Sequence, residues 1–141
     1  MRALIAAVLL TASQLAAAEN ISIAEAQIRQ PMPGRTVTAG YLTLHNHTAA
    51  ELQLVGASSA SFGRAELHQH SHRDGMMRME QVSAITIPAK GSVTLAPGGL
   101  HLMLFEPVTA LEPDQSVPLT LMFADGEKLS VDVPVVAMPK R

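Results

Sequence analysis

"ITIPAKGSVTLAPGGLHLMLF", Ile85 to Phe105, sets short alternating runs between proline and glycine breaks. Ile85 and Ile87 alternate with Thr86, and Pro88-Ala89-Lys90-Gly91 then breaks the pattern. Val93 and Leu95 resume it, Pro97-Gly98-Gly99 breaks it again, and Leu100, Leu102 and Leu104 alternate with His101 and Met103. Apolar residues at every second place fit an extended chain with one face turned to a core. Breakers at such short intervals leave no room for a helix of ordinary length. In such a strand His101 and Met103 share the face opposite the three leucines.

The same period runs outward in both directions. "ISIAEAQIR" (Ile21 to Arg29), "AGYLTLHNHT" (Ala39 to Thr48) and "ELQLVG" (Glu51 to Gly56) alternate on the N-terminal side. In the second of these, Tyr41, Thr43 and His45 share one face and Leu42 and Leu44 the other. "VPLTLMF" and "LSVDVPV" flank Ala124-Asp125-Gly126, a hairpin signal. The pattern predicts about eight or nine short strands and an all-β sandwich or barrel. No internal repeat or linker divides it, so one domain is expected over residues 19–141.

The first residues read differently. Arg2 precedes an apolar run, Ala3 to Leu10, that is too short to span a bilayer, and Ala16-Ala17-Ala18 offers small residues for cleavage. A signal peptide over residues 1–18, cut after Ala18, is predicted, and with it an exported protein without stable membrane insertion.

Composition closes several routes. Ten basic and twelve acidic residues give a formal net charge of −2, with no basic patch, so nucleic acid is not an expected partner. There is no cysteine, which removes disulfides, thiol nucleophiles and thiolate ligands together. A blue-copper electron-transfer centre needs such a thiolate. No Gly-x-Ser-x-Gly elbow or paired-carboxylate signature stands out, and no enzyme is expected.

The chemistry concentrates in "ELHQHSHRDGMMRMEQV", Glu66 to Val82, in a chain with six histidines and eight methionines. If the segment is extended, His68, His70 and His72 share a face, as do Met77 and Met79 beyond Asp74-Gly75. A two-residue turn places His70 opposite Met79 and His72 opposite Met77. A longer loop places His68 opposite Met79. Periodicity leaves both registers open, and either one gathers imidazole and thioether on a common face. Thioether sulfur suits Cu(I), imidazole suits copper, zinc or iron, and methionine is rare at zinc.

At these residues the chain resembles the PCuAC-type periplasmic copper chaperones. The resemblance lies in "AGYLTLHN", "AELH", "DGMMRMEQV", "IPAKG" and "PGGLHLML", and in a spacing of one histidine, ten residues, a methionine, twenty-one residues and then His-x-Met. It implies His68, Met79, His101 and Met103 as Cu(I) ligands and a cupredoxin-like Greek-key barrel. It also implies delivery of copper in the periplasm toward cytochrome c oxidase assembly, alongside a Sco-type thioredoxin-like protein. A monomer is expected. The chain departs from the pattern at His70, where many relatives carry methionine. The surplus imidazoles of His70 and His72 predict a secondary Cu(II) mode. The competing reading is a buffering or storage protein for Cu(II) or Zn(II) that uses the histidine cluster. His45 and His47 are expected at the surface, and Met76 and Met77 in packing or at an apolar rim.

Overall fold

The structure is a computed structural model and describes residues 20–137. The expected signal peptide with its cleavage after Ala18, and the last residues of the chain, lie outside the described residues. Ten strands follow one another: β1 (Ile21–Arg29), β2 (Val37–Asn46), β3 (Leu52–Ser58), β4 (Phe62–Arg73), β5 (Met76–Gln81), β6 (Ile85–Ile87), β7 (Ser92–Leu95), β8 (Leu100–Pro107), β9 (Ser116–Phe123) and β10 (Lys128–Val136). The all-β expectation holds, and the described residues form ten strands rather than eight or nine.

The strands hydrogen-bond in the order β5-β4-β8-β2-β1-β10-β9-β3-β6, with β7 beside the second half of β2. β1 joins the two layers: it runs antiparallel to β2 and parallel to β10, where Ile28 and Arg29 pair with Val135 and Val136. The short segment over Ile85–Leu95 is two strands because it changes layers. β6 pairs with β3, whereas β7 pairs with β2. The Pro88–Gly91 turn between them is held by Asn46, which is 2 % exposed. Its amide nitrogen donates to the carbonyls of Ala50, Ile87 and Pro88 at 2.8, 3.2 and 3.1 Å, and its backbone nitrogen donates to Gly91 at 2.8 Å. A buried amide with every donor used fixes that crossing firmly.

The core lies between the layers and includes Ile28, Leu44, Leu54, Leu102, Leu104 and Leu121, all fully buried. β2 is less amphipathic than its sequence pattern suggests. Tyr41 and Thr43 are buried as well as Leu42 and Leu44. The Arg29 guanidinium lies 5.0 Å over the Tyr41 ring, and Thr43 hydrogen-bonds Thr94 of β7 at 3.2 Å, so neighbours cover the second face too. His47 is exposed and bonds Ser22 at 2.8 Å; His45 is partly buried.

For the functional face the decisive pairing is β4 with β8. Leu67 opposes Leu102 and Ala65 opposes Leu104, on the core side. The alternate residues, Glu66 opposite Met103 and His68 opposite His101, therefore share the outer side. β5 is an edge strand, and all six of its residues are exposed.

Candidate metal centre

The β4–β5 hairpin closes through Asp74 and Gly75, at φ 53° and 75°. Two consecutive positive φ values make the tight primed turn whose twist suits a hairpin, and glycine reaches that region without steric cost. This selects the first of the two registers: His70 opposes Met79, His72 opposes Met77 and His68 opposes Gln81. The alternative, with His68 opposite Met79, does not occur.

On the shared outer face three imidazoles and a thioether converge. The His68 and His70 rings stand 5.8 and 5.0 Å from the His101 ring, centroid to centroid. Met79 reaches past His70 to bring its sulfur within 3.3 Å of His101 Nε2. This cover explains how His101, on the outer face of β8, is only 3 % exposed. Met103 flanks the cluster two residues along β8, half-buried between Glu66 of β4 and Ala39 of β2. His72 is exposed near the hairpin turn beside Met77, and the structure does not bring it to His101.

The hydrogen bonds locate the protons. Carbonyl and carboxylate oxygens only accept. His101 Nδ1–H therefore donates to the Gly99 carbonyl at 3.1 Å, which leaves Nε2 as the lone-pair nitrogen. Burial pushes the His101 pKa down from 6.5, the nearby His70 and His68 push the same way, and the Gly99 bond opposes them. The ring is thus neutral at pH 7, and its lone pair faces the Met79 sulfur with no proton between them. Two donors held about 2.0 and 2.3 Å from one tetrahedral metal would stand about 3.5 Å apart, close to the separation seen. His68 Nε2–H donates to Glu66 Oε1 at 2.9 Å, while the Nδ1 atoms of His68 and His70 are both buried without a partner. Buried polar atoms left unpaired are uncommon, and these two belong to the rings that flank His101.

Among the described residues no three His, Asp or Glu side chains already stand at metal-holding distances. The imidazoles alone do not form a ready site; the thioether supplies the close partner. Sequence reasoning missed the Glu66 and Gly99 contacts. Glu66 lies two residues from His68 on one face of β4, so period two could have found it; Gly99 acts through its carbonyl from the bend before β8, which side-chain alternation does not record.

Comparison with known proteins bears on this geometry. The LpqE-like family model matches residues 21–135. Lxx21020 of Leifsonia xyli subsp. xyli, which carries a lipoprotein name, is 32% identical over 119 residues, covering 84% of this chain and 70% of that one. RP573 of Rickettsia prowazekii is 32% identical over 99 residues, which cover 70% of this chain and 55% of RP573. Among solved structures, the copper-bound PCuAC domain from PmoF2 superposes with a TM-score of 0.71 at 26% identity, over 86% of this chain and 97% of that domain. The Cu(I) form of DR1885 from Deinococcus radiodurans gives 0.65 at 32% identity, over 89% and 85%. The fold is the cupredoxin-like fold of the PCuAC domains.

Proposed function

The chain belongs to the LpqE-like family, the family of the PCuAC domains, and on that premise we propose that it is an exported carrier of Cu(I). The observation that carries this reading is the neutral His101 Nε2 lone pair facing the Met79 sulfur at 3.3 Å. Two uncharged donors, one of them soft, suit Cu(I) and hold Mg2+ or Ca2+ poorly. In this reading His68, Met79, His101 and Met103 bind the cargo. The copper-bound and Cu(I) relatives support the choice of metal.

The arrangement also suits release. His101 is buried and held by Gly99, so it anchors the ion. Met79 is 48 % exposed on an edge strand, so it is the donor that a receiving protein reaches first. Without a thiolate of its own, the site yields copper to one that has it. The receiver we propose is the copper-centre assembly of cytochrome c oxidase, directly or through a Sco-type thioredoxin-like protein, in the periplasm. The working unit is a monomeric domain over residues 19–141, freed by cleavage after Ala18, that carries its metal and catalyses nothing.

One observation favours a second, weaker mode. The His70 Nδ1 atom is buried and unpartnered beside His101. Imidazole serves Cu(II) as well as Cu(I), so His68, His70 and His101 are the set we propose for Cu(II), with His72 too exposed to join. Native mass spectrometry with Cu(I), Cu(II) and Zn(II) in turn tests the whole reading. One tightly held Cu(I) is expected. Tight Cu(II) or Zn(II) with weak Cu(I) would instead make the protein a buffer.

A further inference from the structure

The Glu66 carboxylate hydrogen-bonds His68 and no other side chain of the proposed centre, and it has a geometry that ordinary surface carboxylates lack. One carboxylate oxygen accepts a hydrogen bond from His68 Nε2–H at 2.9 Å; the other forms an ion pair with Arg64 Nε at 3.1 Å. Arg64 is itself laid over the Phe105 ring at 4.1 Å, and Phe105 sits 6.4 Å from the His68 ring. Arg64, Glu66 and His68 are successive residues of one face of β4, opposite Phe105, Met103 and His101 on β8. The His68 and Glu66 side chains are 14% and 20% exposed, so water competes little for their bond; that of Arg64 is 58% exposed, and its ion pair contributes less.

We propose that Glu66 is the positioning residue of this centre: it fixes His68 as the Nε2–H tautomer and so presents Nδ1 to the cargo. The assignment rests on the Cu(I) reading above. Gly99 does the reverse for His101, holding Nδ1–H and presenting Nε2. The two imidazoles thus approach the ion through opposite nitrogens. The buried, unpartnered Nδ1 of His68 is the atom this arrangement leaves free. A carboxylate behind a ligating imidazole fixes the ring and raises its basicity, and losing such a partner typically weakens metal binding about 10- to 100-fold.

Two readouts test this. Nitrogen-15 NMR of the apoprotein near pH 8, above the usual imidazole value of about 6.5, reports the tautomer without any metal. His68 should show a protonated Nε2 and a bare Nδ1, and Glu66→Leu should abolish that preference. Competition with a chromophoric Cu(I) chelator should show about 10- to 100-fold weaker binding for Glu66→Leu. Glu66→Gln keeps an accepting oxygen, so it should restore the tautomer and most of the affinity. A protonated Nδ1 in the wild-type apoprotein would overturn the proposal, as would an unchanged affinity in Glu66→Leu. Met79→Leu separates the two failures. If it loses copper while Glu66→Leu keeps it, only the role of Glu66 falls. If it keeps copper, the Cu(I) site itself is wrong, whatever the His68 tautomer.

Discussion

Replacing Met79 by leucine separates metal binding from folding more cleanly than any other change at the centre. The two side chains have similar volume, and such swaps cost less than about 1.5 kcal/mol even in a packed core. Met79 is 48 % exposed on an edge strand, so only about half of that upper figure applies, under about 1 kcal/mol. Unfolding of the apoprotein should therefore shift by no more than a few degrees. Copper binding should respond quite differently. The variant removes the sulfur that stands 3.3 Å from His101 Nε2. Loss of a hydrogen-bond partner behind a ligand already weakens metal sites about 10- to 100-fold. Loss of a donor should exceed the low end of that range, or at least about 1.4 kcal/mol. Anaerobic competition against a chromophoric Cu(I) chelator measures this directly. Met77→Leu is the control: Met77 lies on the same strand and face but pairs with exposed His72, and its substitution should leave Cu(I) affinity unchanged. A Met79→Leu protein that folds normally and binds Cu(I) within about twofold of wild type would show that the Met79 sulfur is not a copper donor.

Three further outcomes are expected. His101 has a folded-state pKa below 6.5, so the unfolded chain takes up its proton first and stability falls as pH drops from about 6.5 toward that lowered value; thermal unfolding at a series of pH values should show a smaller acid loss in His101→Gln, and an identical loss would contradict the burial argument. Gly75→Ala forces a side chain into φ 75°, which should destabilise the domain by about 1–2 kcal/mol and loosen the hairpin that carries Met79, lowering both the melting temperature and Cu(I) affinity; an unchanged melting temperature would show that the turn is not as described. For export, intact mass of the protein from its native host should begin at Glu19, and a soluble product that keeps residues 1–18 would remove the argument for a cleaved signal.

The strands were legible because one face of each meets a core, and period two survives wherever that is true. Their neighbours were not. Nothing in the residues of β1 announces a parallel pairing with β10, since alternation records which face is buried and not what lies beside it. Alternation allows two hairpin registers, and the positive φ of Asp74 and Gly75 selects one, a property of the turn rather than of the pattern. At the centre, the spacing of His68, Met79, His101 and Met103 was visible in the chain. That His70 stacks against His101 follows only from the pairing of β4 with β8. Burial of Tyr41 and Thr43 likewise depends on Arg29 and Thr94, which approach from other strands.

X-ray absorption of the Cu(I)-loaded protein reads the donor atoms around the metal themselves. The geometry predicts one copper with both nitrogen and sulfur in its first shell, at about 2.0 and 2.3 Å, and loss of sulfur scattering in the Met79→Leu, Met103→Leu double variant. A first shell of nitrogen alone in the wild-type protein would contradict it and leave the imidazole cluster as the whole of the site.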